Sequence, residues 1–139
     1  MEKHMALIKW NDSFSVGVVE IDLQHQKLVA LINDLNEAML QARGKTVLTR
    51  ILNELVSYTV VHFGTEEKYF ETYQYPYTMS HKKEHCAFIE KVGSFKADFQ
   101  SDKVGLSLEV MSFLSEWLQN HIKGTDKKYS AFFNKNGLK

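Results

Sequence analysis

Apolar residues recur at intervals of three and four positions along most of this chain, which is the spacing of one face of an α-helix. Four segments carry the pattern, at 19–42, 46–73, 78–100 and 105–123, and the last extends towards position 133. The alternation typical of β-strands is confined to a few positions near the start, such as SVGVVEI. The pattern therefore predicts an all-α protein.

Short helix-breaking stretches separate the four segments. Gly44 stands where a left-handed cap is expected after the first helix, and Pro76 cannot continue a helix without losing a backbone hydrogen bond. Because short connections favour antiparallel neighbours, we predict an up-down-up-down antiparallel four-helix bundle. The prediction is a single domain over 1–139, with an N-terminal arm at 1–18 and the bundle at about 19–133.

Composition and charge narrow the class of protein. The chain has 139 residues, 44% of them hydrophobic, which suffice for one core. Its 17 basic residues balance 17 acidic ones, so neither nucleic acid nor a membrane is an expected partner. The N-terminus lacks the apolar segment of a signal peptide, and no apolar run approaches the roughly 20 residues that span a bilayer. We expect a cytoplasmic monomer. Cys86 is the only cysteine, so any metal site must use nitrogen and oxygen ligands.

Five of the six histidines fall on the apolar stripes. Read in steps of three and four, the stripes form seams that face the bundle centre. The seam residues with imidazole or carboxylate side chains are His25, His62, Glu66, His81, His85 and His121. A single histidine on an apolar face is usually a hydrogen-bonded core residue. Six such residues buried together would each need a partner, because an unsatisfied buried polar group costs roughly 1–3 kcal/mol. A shared metal would satisfy them all.

The six seam residues also lie at one depth of the predicted bundle. Those of the first and third helices are near helix starts, whereas those of the second and fourth are near helix ends, and an alternating bundle brings these ends together. His62 and Glu66 are four residues apart, about 40° around a helix, and the third helix has a histidine pair with the same spacing. Imidazole and carboxylate ligands suit iron, zinc or manganese, and bridging carboxylates favour a dinuclear site.

Four motifs match a known family over nearly the whole chain, from position 10 to about 133. They are IDLQHQKL, HFGTEEKYF, YPYTMSHKKEH and HIKGTD. With these motifs the chain resembles the bacterial hemerythrins. That resemblance implies two non-haem iron ions bridged by carboxylates and an oxo or hydroxo group. It also implies reversible dioxygen binding, for carriage, storage or sensing, rather than enzymatic activity.

The same resemblance implies which residues hold the iron. One ion would be bound by His81, His85 and His121, and the other by His25 and His62, with Glu66 and Asp126 bridging both. The ion with two histidines would keep an open position for dioxygen.

Asp126 fits the helical pattern least well. It follows His121 by five residues, which is about 140° around an ideal helix and off the seam. Gly124 lies between them, so a local unwinding or π-type turn could bring the carboxylate inward. The alternative is a solvent-facing aspartate, and the family spacing favours the ligand.

Four apolar residues have two compatible interpretations. By pattern alone they are ordinary core, and the resemblance places them in the wall of the O2 pocket, where they would keep protons out. These residues are Leu28, Phe63, Trp117 and Leu118.

Several neighbouring residues are assigned other roles. Glu67 points about 100° away from Glu66 and is assigned to the surface or to an outer layer around the site. His4 lies off any seam, the charged residues of HKKEH form a solvated face, and Gly64 indicates tight packing near the site.

Two other functions remain as alternatives to oxygen binding. One is a di-iron redox enzyme, such as a peroxidase or a nitric-oxide-handling protein, although the seams show no additional acid or base for such chemistry. Ferritin-like oxidases use more carboxylates than this sequence offers. The other is an O2 or redox sensor module.

Overall fold

The computed structural model describes residues 8–139. Its α-helices are α1 (Val19–Leu40), α2 (Gly44–Tyr73), α3 (Thr78–Gln100), α4 (Leu106–Trp117) and α5 (Lys127–Lys135). A π-helical segment, Leu118–Asp126, joins α4 to α5, and a short 3-10 helix, Asp12–Phe14, precedes α1. No strand occurs within this range, so the all-α prediction is confirmed. No helix in the same range has the length and hydropathy needed to cross a membrane.

The long helices form the predicted four-helix bundle. α1 packs against α2 and α4, and α3 packs against α2 and α4. The connections 41–43, 74–77 and 101–105 are too short to cross the bundle, so consecutive helices are antiparallel. Because the helices alternate in direction, the ends of α1, α2 and α3 that carry the seam histidines lie together with the π-helical segment.

The connection between α1 and α2 differs from the prediction. Ala42, with φ of 58°, takes the left-handed conformation that was expected at Gly44. Gly44 instead begins α2. A Cβ atom there would lie 3.0 Å from both Met39 Cγ and Ser107 Oγ, so the close approach of neighbouring side chains explains the glycine. The interpretation of Gly64 was also wrong, because a Cβ atom at that position would have no heavy atom within 4 Å apart from its chain neighbours and the nearby backbone of its own helix.

Two apolar clusters pack on either side of a buried polar layer. The main core is formed by buried residues of the four long helices, and it extends to Leu118 and Ile122. The end cluster consists of Val16, Val18, Ile21, Phe70, Tyr75, Tyr129 and Phe133. On three helices a buried polar residue separates the two clusters: His25 between Ile21 and Leu28, Glu66 between Phe63 and Phe70, and Asp126 between Ile122 and Tyr129.

The described part of the N-terminal arm packs on the bundle. The backbone N–H of Ile8 donates to Asn33 Oδ1 at 2.9 Å, and Asn33 Nδ2 donates back to the Ile8 carbonyl at 2.8 Å. Phe14 is buried in the main core, whereas Val16 and Val18 belong to the end cluster. The arm therefore closes the end of the bundle next to the polar layer.

Candidate metal centre

Seven side chains from α1, α2, α3 and the π-helical segment meet in the polar layer. Each exposes at most 1% of its surface. They are His25, His62, Glu66, His81, His85, His121 and Asp126, all predicted from the sequence. The remaining histidine, His4, lies outside the described residues.

The first group of converging atoms contains three histidines. His81, His85, His121 and Glu66 each offer one ligand atom, and these atoms lie within 4.8 Å of one another. His85 Nε2 is 3.0 Å from Glu66 Oε1. Because His81 and His85 are one helical turn apart on α3, their rings reach the same point from one face.

The second group contains two histidines. His25, His62, Glu66 and Asp126 offer atoms within the same 4.8 Å limit. His25 Nε2 lies 3.0 Å from His62 Nε2 and 3.1 Å from Asp126 Oδ2, and His62 Nε2 is 3.3 Å from Glu66 Oε1. This group therefore has one imidazole fewer than the first.

The two carboxylates link the groups. Glu66 belongs to both, through Oε1. Asp126 faces His25 with Oδ2, whereas its Oδ1 lies 2.9 Å from His81 Nε2 and 3.0 Å from His121 Nε2. A carboxylate whose two oxygens face different histidine groups has the position of a bridging ligand between two metal ions.

The π-helical segment explains how Asp126 reaches the interior. In a π-helix the hydrogen bonds join residues five apart, so residues separated by five, such as His121 and Asp126, come to the same face. The segment Leu118–Asp126 has this conformation, and the predicted π-type turn is present. An α-helix over the same residues would direct the carboxylate away from the centre.

Several of the inward-facing atoms have no hydrogen-bond partner among the described residues. They are the Nε2 atoms of His81, His85 and His121, Oε1 of Glu66, and both carboxylate oxygens of Asp126. They form short imidazole–carboxylate contacts, such as 2.9 Å between His81 Nε2 and Asp126 Oδ1, but no hydrogen bond of good geometry, and a buried group without such a bond costs roughly 1–3 kcal/mol. Five imidazoles and two shared carboxylates form a donor set that fits a pair of non-haem metal ions.

Polar side chains behind the histidines fix their orientation. His62 Nδ1 donates to Gln24 Oε1 at 2.7 Å, and His85 Nδ1 donates to Glu67 Oε2 at 2.8 Å. His121 Nδ1 donates to Glu84 Oε1, also at 2.8 Å. Since each bond holds a ring proton on Nδ1, Nε2 is the atom directed inward and the one available to bind a metal ion.

The outer layer refines the sequence interpretation. Glu67 lies in this outer layer, behind His85, and the surface or an outer layer was the position expected for it. Glu84 was wrongly assigned to a purely solvated face, because it also accepts a hydrogen bond from Thr125 and so connects α3 to the π-helical segment. The sequence gives no direct signal for this contact, since its partners are distant in the chain.

Tyr129 was also missed. Its buried hydroxyl donates to Glu66 Oε2, leaving Oε1 for the histidines. Burial and the charge of Asp126 raise the pKa of Tyr129 well above its ordinary value, so the phenol keeps its proton. Continuing the fourth stripe beyond Asp126 in steps of three and four would have identified Tyr129 and Phe133.

The metal-free centre is held together by internal charge. Burial opposes protonation of His81 and His121, but Asp126 and Glu66 outweigh it and raise both pKa values to about 9. Burial lowers the pKa of His62 to about 3. At neutral pH, two imidazolium groups therefore balance the two buried carboxylates.

Apolar side chains cover the main-core side of the centre. The Phe63 ring stacks on His85 and the Trp117 ring on His121, each at 3.8 Å between centroids. Leu28 and Leu118 are fully buried, and Trp117 is half-buried. Two of the four predicted pocket residues, Phe63 and Trp117, therefore contact histidine rings, and the O2 pocket itself stays a prediction.

Comparison with known proteins gives a consistent result. The model of the family described as "Hemerythrin HHE cation binding domain" matches residues 16–133. A bacteriohemerythrin of Stenotrophomonas maltophilia is 35% identical over 126 residues, which cover 91% of this chain and 81% of that protein. A hemerythrin-like protein of Naegleria gruberi is 35% identical over 122 residues, covering 88% of this chain and 90% of that one.

A solved structure shares the architecture. The crystal structure of a wild-type hemerythrin superposes with a TM-score of 0.81 and 26% sequence identity, covering 91% of this chain and 97% of that chain.

The charge balance predicts how the metal-free protein responds to pH. Because the folded pKa values of His81 and His121 lie above the unfolded value of 6.5, their stabilisation is complete below pH 6.5 and is lost as the pH rises towards 9. We expect a loss on the order of 1–3 kcal/mol per histidine. Urea unfolding of chelator-treated protein at pH 6.5, 7.5 and 9 measures it.

Metal-loaded protein is the control, since histidine ligands are neutral throughout this range. Its unfolding free energy is expected to stay flat between pH 7 and 9. A metal-free protein with the same flat profile would contradict the proposed pair of buried imidazolium groups.

Proposed function

Because this chain belongs to the hemerythrin family, we propose that it binds dioxygen reversibly at a pair of non-haem iron ions held between its helices. The observation that carries the proposal is the convergence of five buried imidazoles and two shared carboxylates. Their inward atoms are largely unsatisfied without a metal.

The two groups of side chains define the proposed ligands. His81, His85 and His121 would hold one iron ion, and His25 and His62 the other. Glu66 and Asp126 would bridge the two ions, as the positions of their oxygens favour. A ferrous pair bound there would supply the two electrons that dioxygen takes up and returns.

The surrounding residues make the two positions unequal. The three-histidine group is supported by the carboxylates Glu67 and Glu84, whereas His62 in the two-histidine group has the neutral amide of Gln24. Negative charge behind an imidazole strengthens it as a donor. The two-histidine position has fewer and weaker donors, and it is the position where we place the small ligand.

We infer a binding protein rather than an enzyme. Apart from the proposed ligands Glu66 and Asp126, the acids next to the histidines are Glu67 and Glu84, which accept hydrogen bonds from the outward Nδ1 atoms of His85 and His121. They hold ligands in place and are not directed at a bound substrate. Carriage, storage and sensing of oxygen are all compatible with this arrangement.

Reversibility is the direct test of the proposal. The purified protein is reduced without oxygen and then exposed to air, and visible charge-transfer bands are expected to develop. Removing oxygen should abolish the bands, and a second exposure should restore them. Irreversible bleaching would instead support a di-iron redox enzyme.

The ligand assignment predicts the iron content of histidine variants. Replacing any one of the five converging histidines with alanine is expected to lower iron binding below two ions per chain, because each replacement removes one donor. His4→Ala is the control and should keep the full content. Colorimetric iron analysis of the six variants provides the measurement. Two ions per chain in His62→Ala would remove that residue from the proposed site.

Leu118 is predicted to keep water away from bound oxygen. It is fully buried and precedes His121 by three residues, at the start of the π-helical segment. Leu118→Asn should admit water and speed autoxidation of the oxygenated form several-fold, with little change in iron content. The measurement is the decay of the oxygenated spectrum at a temperature where every variant is folded.

Leu118→Ala separates this role from packing. Truncating a buried leucine costs roughly 2–5 kcal/mol of stability, whether or not the residue shields the ligand. If both variants lose stability but autoxidise at the rate of the unaltered protein, Leu118 is only a packing residue.

A further inference from the structure

Tyr58 is a buried polar residue that the proposed ligand set does not explain. It lies on α2, one turn before His62, and exposes 6% of its surface. Its hydroxyl is buried and has no hydrogen-bond partner among residues 8–139. A hydroxyl buried without a partner is unfavourable for folding. Because this hydroxyl lies next to the centre, its missing hydrogen bond indicates an acceptor on a molecule bound there.

The direction of the side chain points to the two-histidine group. Tyr58 and His62 are four residues apart and leave the same face of α2. Their rings are stacked, with 5.0 Å between centroids and 17° between planes. The phenol oxygen, at the far end of this stacked ring, is buried in the interior. Burial, followed by the charges of Glu66 and Asp126, raises the pKa of Tyr58, which agrees with a position near both carboxylates.

None of the nearby protein acceptors takes a hydrogen bond from Tyr58. Gln24 Oε1 accepts from His62, and Glu66 Oε2 accepts from Tyr129. Glu66 Oε1 and both oxygens of Asp126 face histidine nitrogens. The Tyr58 hydroxyl, which adjoins the two-histidine group through the stack on His62, therefore has no acceptor in the described part of the chain.

We propose that the Tyr58 hydroxyl donates a hydrogen bond to a small ligand with a terminal lone pair, such as dioxygen or a small anion, bound beside His25 and His62. The proposal rests on the proposed function, because it requires a metal ion at that position. Because the pKa of Tyr58 is raised above its ordinary value, the phenol is a neutral donor at physiological pH. It can stabilise partial negative charge on the ligand without transferring its proton.

A surface cavity reaches the same two rings. It has a volume of about 370 Å³ and lies between α1 and α2, where Tyr58, His62 and Gln24 contribute to its wall together with the exposed Val61. A small ligand in this cavity would be adjacent to Tyr58 and His62 without crossing the main core.

Tyr58→Phe tests the proposal, because it removes only the hydroxyl. The diferric proteins are titrated with sodium azide, and binding is followed by visible absorbance. We expect azide to bind roughly tenfold to a hundredfold more weakly to the variant, the effect of losing one hydrogen bond to a charged ligand. Iron content should be unchanged. Tyr73→Phe is the control, since it removes a hydroxyl from a half-buried tyrosine that packs on Phe133 in the end cluster, and its azide affinity should match that of the unaltered protein.

A second measurement separates hydrogen bonding from packing. The infrared stretch of bound azide should shift between H2O and D2O in the unaltered protein, and this shift should vanish in Tyr58→Phe. The metal-free variant should melt at the same temperature or higher, because phenylalanine leaves no unpartnered hydroxyl.

The outcomes distinguish this proposal from the one on which it rests. Equal azide affinities and equal isotope shifts in the two proteins would overturn the role of Tyr58 and leave the di-iron centre standing. Loss of iron from Tyr58→Phe would also overturn it, by showing that the hydroxyl supports the centre itself. An unaltered protein that takes up neither iron nor azide would overturn both proposals.

Discussion

The structure depends on burying two carboxylates and five imidazoles inside an apolar helical bundle. Glu66 and Asp126 are fully inaccessible to solvent, and desolvating charges of this kind costs far more than an ordinary polar contact returns. The main core and the end cluster pack on opposite sides of the polar layer, so water cannot supply the missing interactions. Positive charge within the polar layer has to offset the desolvation cost of the two carboxylates for folding to be favourable.

Protons and metal ions are two ways to provide that charge. In the metal-free protein, His81 and His121 have pKa values of about 9, so their protons balance the carboxylates. Two metal ions would replace these protons and would satisfy the unpartnered nitrogens and oxygens as well. Metal uptake is therefore coupled to proton release and to the stability of the same four helices. Tyr129 and the outer-layer acids hold the ligand atoms in place in either state.

Helical periodicity was sufficient to predict the bundle and the six ligand candidates on its seams. A stripe with steps of three and four has to face the interior, so five histidines and Glu66 could be placed from spacing alone. Asp126 could not be placed from spacing alone, because the π-helical segment breaks the regular pattern. Its assignment as a ligand rested on the family resemblance and on the position of Gly124. Glu84 and Tyr58 could not be assigned in this way. Glu84 acts across helices, and the role of Tyr58 depends on an unfilled hydrogen bond, which only three-dimensional contacts reveal.

The two proposed metal positions differ in how the protein surrounds them, and this difference has functional consequences. Carboxylates support the three-histidine group, whereas an amide and an unpartnered phenol adjoin the two-histidine group. A centre with equal positions would have no preferred place for an incoming molecule. Under the proposed function, the stronger donors would fill the coordination of the ion in the three-histidine group, and a small ligand would bind in the two-histidine group. At that position the apolar wall would exclude water, and the Tyr58 hydroxyl would stabilise charge on the ligand without protonating it. Such an environment favours reversible binding over irreversible reduction.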